Sequence, residues 1–395
     1  MAKKVFTLFM IAAGIASADH IVLRTSTIID GKGNVLHNKD LVIEGDRIVG
    51  IQNRSGRADY DLSSLTVMPG WIDTHVHVDW HFGPSGKLVT GPERAKEPAG
   101  VTALYAAENA WLTLQAGFTT VQSVGASVDG EVRDRINKGA LPGPRILTSL
   151  AQITNQSGDP EAIRALVRKL KEDGADVIKL FATSGLGAGG APTMTQEQLS
   201  AGCSEAKAQG LRSVVHAISA EGAKMAVLAG GTSVEHGIFI DDATLGLMHE
   251  RGTYFDPNFL VLHNYLDNRD HFTFTEPGLA NMEKALPSVA ESLKKARRHN
   301  VKVVLGTDAV AGAHGRNAEE FVLRVRDGGD KPMDAIVSGT SLAAEALGLG
   351  AEIGTIAPGF GADLVATEGN PLDDITSVRH VAFVMKGGKV LRNSR

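Results

Sequence analysis

Between residues 67 and 308, short apolar runs of β character alternate with helical patterns eight times. The β-runs occupy residues 67–77, 119–125, 145–150, 176–181, 213–217, 233–237, 254–259 and 301–308. The intervening segments carry helix punctuation. Asp159-Pro160 opens one helix and Gly174 closes it. Thr195-Gln196-Glu197-Gln198 reads as a capping box, with Gly210 at the far end. Residues 241–252 and 286–300 follow the same scheme. Strict alternation of this kind calls for parallel strands joined by helical crossovers. Eight repeats point to an α/β chain built as a (β/α)8 TIM barrel, expected over residues 69–353. A doubly wound open sheet is the alternative.

The two ends have a different rhythm. Residues 19–68 and 354–395 read as short strands joined by tight turns, Gly45-Asp46 and Lys386-Gly387-Gly388-Lys389 among them. Together they are expected to form one small β-sandwich from both ends of the chain. Residues 1–18 read as a signal peptide. Lys3 and Lys4 precede an apolar stretch at 5–15, and Ala16-Ser17-Ala18 supplies the cleavage pattern. The mature protein is therefore expected to be exported, periplasmic or secreted, and free of the membrane once the signal is removed. The chain has 40 basic and 45 acidic residues and no Lys/Arg-rich block, which argues against a nucleic-acid partner. Cys203 is the only cysteine, so no intramolecular disulfide and no cysteine-based zinc site can form.

In a (β/α)8 barrel the chemistry gathers at the C-terminal ends of the strands. Six polar residues fall there. His75 and His77 end the first run, on one face by strand alternation. Lys179 lies in the fourth, His216 ends the fifth, His236 the sixth and Asp308 the eighth. Any one of them alone is explained as a hydrogen-bonded strand residue, a turn cap or a snorkelling lysine. Their convergence on one rim indicates a metal site.

These residues carry a resemblance to the amidohydrolase superfamily of metal-dependent hydrolases. The matching segments are Pro69-Gly70-Trp71-Ile72-Asp73-Thr74-His75-Val76-His77, Ala175-Asp176-Val177-Ile178-Lys179, Val215-His216-Ala217, Glu235-His236-Gly237, Gly306-Thr307-Asp308-Ala309 and Gly359-Phe360-Gly361-Ala362-Asp363-Leu364-Val365. The chain looks most like the prolidase-like and imidazolonepropionase-like branch, which includes zinc-dependent dipeptidases and carboxypeptidases. The resemblance implies two divalent metal ions. His75, His77 and Asp308 would hold one, His216 and His236 the other. Lys179, carboxylated by CO2, would bridge them together with a hydroxide. Such ligands suit Zn²⁺, with Mn²⁺, Co²⁺ or Fe²⁺ as further options. A lysine can serve only when neutral, which apolar Ile178 and Leu180 favour. Asp308 is the expected general base, and the expected substrate is a small amide, a peptide or an N-acyl amino acid. A lactonase, esterase or phosphotriesterase with the same centre is the second enzyme reading, and a non-catalytic binding protein is the reading from another class. Further copies of the same chain are an open option as partners.

Four other segments stand out. Residues 185–190 fit a dinucleotide-type glycine pattern, but Pro192 separates them from the next helix, so a loop above the fourth strand is expected instead. His314 and Arg316 follow Asp308 and are candidate substrate contacts. Residues 265–278 read as a long loop able to act as a lid. Residues 153–159 replace the Gly-Gly-His segment and long insert usual in the peptidase members, so a more open pocket is expected.

Overall fold

The computed structural model describes residues 20–394. The expected signal peptide, residues 1–18, lies outside the described residues. Four strands come first: β1 (His20–Ile29), β2 (Val35–Glu44), β3 (Arg47–Asn53) and β4 (Tyr60–Pro69). The central series follows as β5 (Trp71–Val76), β6 (Phe118–Ser123), β7 (Arg145–Thr148), β8 (Gln152–Ile153), β9 (Val177–Phe181), β10 (Arg212–Ala217), β11 (Ser233–His236) and β12 (Tyr254–Asp256). β13 (Leu364–Glu368), β14 (Val381–Lys386) and β15 (Lys389–Asn393) end the chain.

The central series is parallel throughout, in two sheets ordered β5-β6-β7 and β12-β11-β10-β9-β8. Helices lie between successive strands except between β7 and β8, so the layout is that of a TIM-barrel-type α/β fold. Three of the expected runs differ in detail. The first divides at Gly70, because residues 67–69 belong to β4 and a side chain at 70 would strike Thr119. The third divides into β7 and β8 at Leu150, whose φ of 57° breaks the extended backbone. The eighth, 301–308, is not a continuous strand. It joins its neighbours through the isolated bridges Phe255↔Val303 and Val76↔Ala309. Gly306 explains its close approach: a Cβ there would lie 1.9 Å from an Asp256 carboxylate oxygen, so only glycine fits.

The helix signals are met. Asp159 accepts from the amides of Glu161 and Ala162 at the start of the helix Pro160–Glu172. Thr195 and Gln198 form a reciprocal capping box at the start of Gln196–Ala208. The stretch 265–278 is not one long loop. The helix Phe259–Asp267 runs into it and the helix Glu276–Arg298 begins before its end.

The strands from both ends join in one seven-stranded sheet, β15-β14-β13-β4-β1-β2-β3, antiparallel except for β1 with β4. β4 leads into the central series and pairs with β13, which leaves it, Pro69 opposite Leu364. Leu23, Ile28, Leu41, Ile43, Phe383 and Met385 are fully buried in a core of their own. This sheet meets the N-terminal end of β5, which leaves the C-terminal rim of the central strands free. At the sheet end of β5, Trp71 packs edge-on against Phe118 and Phe321, with centroids 5.6 and 5.2 Å away. Each such pair adds about 0.5–1.5 kcal/mol beyond its buried area.

Cys203 sits on the inner face of the helix Gln196–Ala208, 2% exposed, and burial pushes its thiol up to about 11. A buried thiol of that kind is inert. The native protein is expected to resist iodoacetamide at pH 8 and to react only when unfolded. Stoichiometric labelling of the folded chain would contradict this placement.

Candidate metal centre

The six rim residues come together. His75 Nε2 lies 3.2 Å from Lys179 Nζ and 3.5 Å from Asp308 Oδ1, and His77 Nε2 lies 3.1 Å from the same Asp308 oxygen. The His236 ring is 5.4 Å from that of His75 and 4.6 Å from that of His216. Ligand atoms of His75, His236 and Asp308 all fall within 4.8 Å of one another. All six residues are buried.

Local backbone geometry makes this convergence possible. Ser233 and Glu235 share one face of β11, so simple alternation would turn His236 away from them. His236 instead has φ 69°, and Gly237 follows at φ 48°. The break brings Glu235 and His236 to the same side. Asp308 is also left-handed, φ 50°, with its N–H donating to the His75 carbonyl at 2.7 Å. Such residues cost roughly 1–3 kcal/mol each, and the surrounding structure must offset it.

Burial sets the protonation states. It pushes His75 and His236 far below the usual imidazole range and His216 down to about 4, the Lys179 charge adding to the effect on each. Burial likewise lowers the Lys179 amine. Asp308 goes the other way. Burial opposes its charge, but His75, His77 and Lys179 outweigh that and hold it at about 2. The result is three neutral imidazoles and an ionised carboxylate, the protonation states in which these groups bind a cation.

A second tier lies beneath. His75 Nδ1 faces Glu235 Oε2 at 2.8 Å, a close contact outside hydrogen-bond geometry. Asp256 accepts from Thr74 Oγ1 at 2.9 Å and from the Gly306 amide at 2.8 Å. Burial pushes Glu235 up; burial together with the neighbouring Glu235 charge pushes Asp256 up. Arg324, fully buried, reaches Asp256 at 3.3 Å, Glu320 at 2.7 Å and the Val304 carbonyl at 2.7 Å. Removing one partner of a buried ion network strands the others, at about 3–5 kcal/mol. Arg324→Met is therefore expected to lower unfolding stability by that amount in a denaturant titration. A loss under about 1 kcal/mol would mean that the network does not depend on Arg324.

A cavity of about 380 Å³ opens over the centre. Asp308 and the five other rim residues line it, with Trp80, Phe181, Leu186, Ile238, Val261 and Phe274 among its apolar walls. Gly185 and Gly187 of the glycine-rich run line it as well, on a short 3-10 turn against the helix Glu276–Arg298. His314 and Arg316 do not line it. His314 is buried, one ring nitrogen 3.1 Å from the His77 carbonyl and the other 3.2 Å from Thr113 Oγ1. It steadies the strand end that carries His77. Arg316 is on the surface, 3.5 Å from Asp267. The structure thus places both expected substrate contacts outside the lining of this cavity. Reasoning from the sequence also missed Asp256, Asn258 and Arg324, and passed over Glu235. Alternation from Ser233 was the available signal for Glu235. For Asp256 it was an acid at the end of an apolar strand.

Buried histidines, an amine and a carboxylate on the C-terminal rim of a parallel α/β array define a hydrolase of the metal-dependent TIM-barrel class. The chain belongs to the amidohydrolase family, whose sequence model matches residues 66–391. The ochratoxinase of Aspergillus niger is 27% identical over 438 residues, covering 96% of this chain and 88% of that protein. Among solved structures, a Xaa-Pro dipeptidase with bound methionine is 33% identical with a TM-score of 0.86, over 95% of this chain and all of that one. A prolidase complexed with N-methylphosphonate-L-proline is 26% identical with a TM-score of 0.85, over the same shares. Among the described residues no helix is long and apolar enough to cross a membrane.

Proposed function

We propose that this chain hydrolyses small amides, peptide or N-acyl amino acid bonds, at a centre of two divalent metal ions. The observation that carries the reading is the donor set itself. Four buried imidazoles, three of them held neutral, converge with an ionised carboxylate and an amine lowered by burial. That chemistry fits divalent cations, zinc first among them. His75, His77 and Asp308 would hold one ion, and His216 and His236 the other. Lys179, carboxylated on Nζ by CO2, would bridge the two. When bound, the metals supply Lewis-acid polarisation of the scissile carbonyl and an activated water. Asp308 takes a proton from the attacking water on its carboxylate and delivers it to the leaving nitrogen. Glu235 stands beside His75 Nδ1, and the apolar walls exclude bulk water. The names of the prolidase, Xaa-Pro dipeptidase and ochratoxinase relatives support amide-type substrates.

A cleavage screen tests the reading. The zinc- and bicarbonate-loaded protein meets dipeptides, N-acyl amino acids, lactones and phosphotriesters. Amide cleavage that disappears on chelation is the expected result. Cleavage confined to lactones or phosphotriesters would contradict it. We also propose that the chain is exported, because residues 1–18 have the charge, apolar run and small-residue motif of a signal peptide. N-terminal sequencing of the secreted or periplasmic protein should begin at Asp19, and an unprocessed cytoplasmic chain would contradict it.

A further inference from the structure

The cavity over the centre is uncharged apart from the centre itself. Among the described residues lining it, no arginine occurs, Lys179 is the only lysine and Asp308 the only carboxylate. Trp80, Phe181, Ile238, Val261, Phe274 and Met282 are among the apolar residues of the remaining wall. A free α-carboxylate or ammonium bound there would leave water without an opposite charge to meet it beyond the centre. Peptidase-type recognition of a charged chain end has no partner on these walls.

Two neutral polar side chains on the wall have an open position, the Tyr265 phenol and Asn258, and of these Asn258 is the fully buried one. Asn258, at the end of β12, is 1% exposed and lines the cavity. Its Oδ1 accepts the His236 N–H at 3.2 Å, which fixes the amide's orientation. Its Nδ2 is buried without a partner. A φ of 49° holds the residue in the left-handed region, one that asparagine tolerates. An orphaned N–H2 on a rigid mount is a donor waiting for an acceptor. Gln152, by contrast, spends its N–H2 on the Val124 carbonyl at 3.0 Å.

We propose that the preferred substrates are amides whose flanking groups are uncharged and bulky apolar, with one carbonyl oxygen accepting a hydrogen bond from Asn258 Nδ2. The proposal rests on the amide-hydrolase reading and departs from it in the flanking groups, placing end-capped amides ahead of free dipeptides and N-acyl amino acids. Asn258 is then a specificity-determining residue, and a substrate with a free carboxylate beside the scissile bond is a poor one.

Leucyl-phenylalanine tests this in four forms, with the amino end free or acetylated and the carboxyl end free or amidated. The doubly capped form is expected to exceed the free dipeptide in kcat/KM by at least about tenfold, since an unpaired buried charge costs more than a neutral group. Asn258→Asp keeps the acceptor for His236 N–H and loses the donor; Asn258→Gly loses both and still tolerates the backbone angle. Both are expected to raise KM for the capped substrate by roughly tenfold, the worth of one good hydrogen bond, with metal content unchanged. The free dipeptide being cut as fast as the capped form would overturn the proposal while leaving amide hydrolysis standing. An effect seen in Asn258→Gly alone would reduce Asn258 to a positioning residue for His236 and overturn its donor role. Failure of all four forms, with lactones still cut, would overturn the amide reading itself.

Discussion

Asp308→Asn is expected to lower kcat/KM for amide hydrolysis by roughly 10³-fold, within the range that a positioned proton-transfer group contributes. The substitution keeps the size of the side chain and one acceptor oxygen, but the amide cannot take up a proton. The carboxylate lies 3.1 Å from His77 Nε2 and 3.5 Å from His75 Nε2, and it is held at about 2, so it stays ionised at every working pH. The left-handed backbone at 308 accepts asparagine readily, so the fold should survive. Metal content should be measured beside the rate. A large loss of turnover with metal retained assigns the proton transfer to Asp308. A variant with wild-type turnover would remove it from the mechanism.

The second large effect is expected at Lys179. The residue is 1% exposed, and its amine lies 3.2 Å from His75 Nε2 and is lowered by burial. Lys179→Ala should reduce bound metal below two ions per chain. Residues that merely orient metal ligands are worth about 10–100-fold in metal affinity, and a bridging ligand should exceed that. The truncation leaves room between Val177 and Phe181, where a short carboxylic acid can supply the missing anion. Partial rescue of activity by acetate or propionate is therefore expected. Full metal content and full activity in Lys179→Ala would show that the lysine fills space only.

Much of this site was legible because strand ends are local features. His75, His77, His216 and Asp308 stand at the ends of β-type runs that hydrophobic patterning locates, and the structure brings them together. Lys179 alone reads as a snorkelling lysine; it is legible because it falls in the same series of strand ends as the histidines, and the structure buries it. His236 is a different case. Alternation alone would set it opposite Glu235, and its inward direction depends on a positive φ that the following Gly237 permits but does not announce. The tier below was hidden for a different reason. Asp256 meets Arg324 across 68 positions of sequence, and no local pattern encodes that pairing. For His314, nearness in sequence to Asp308 says nothing of direction. Its ring turns back to the His77 carbonyl and Thr113. At the two chain ends the strands and their joining in one unit were legible, but the strand order and register were not. The pairing of β4 with β13 joins residues almost 300 positions apart, and the outcome is one continuous seven-stranded sheet rather than two separately bonded ones.

The most direct test of the metal-centred account is a titration of stripped protein. Chelator-treated enzyme receives zinc in stepwise equivalents with bicarbonate present, and bound metal and amide turnover are read together. The account predicts no turnover in the stripped protein and recovery that saturates at two ions per chain. Turnover that persists after complete metal removal would contradict it.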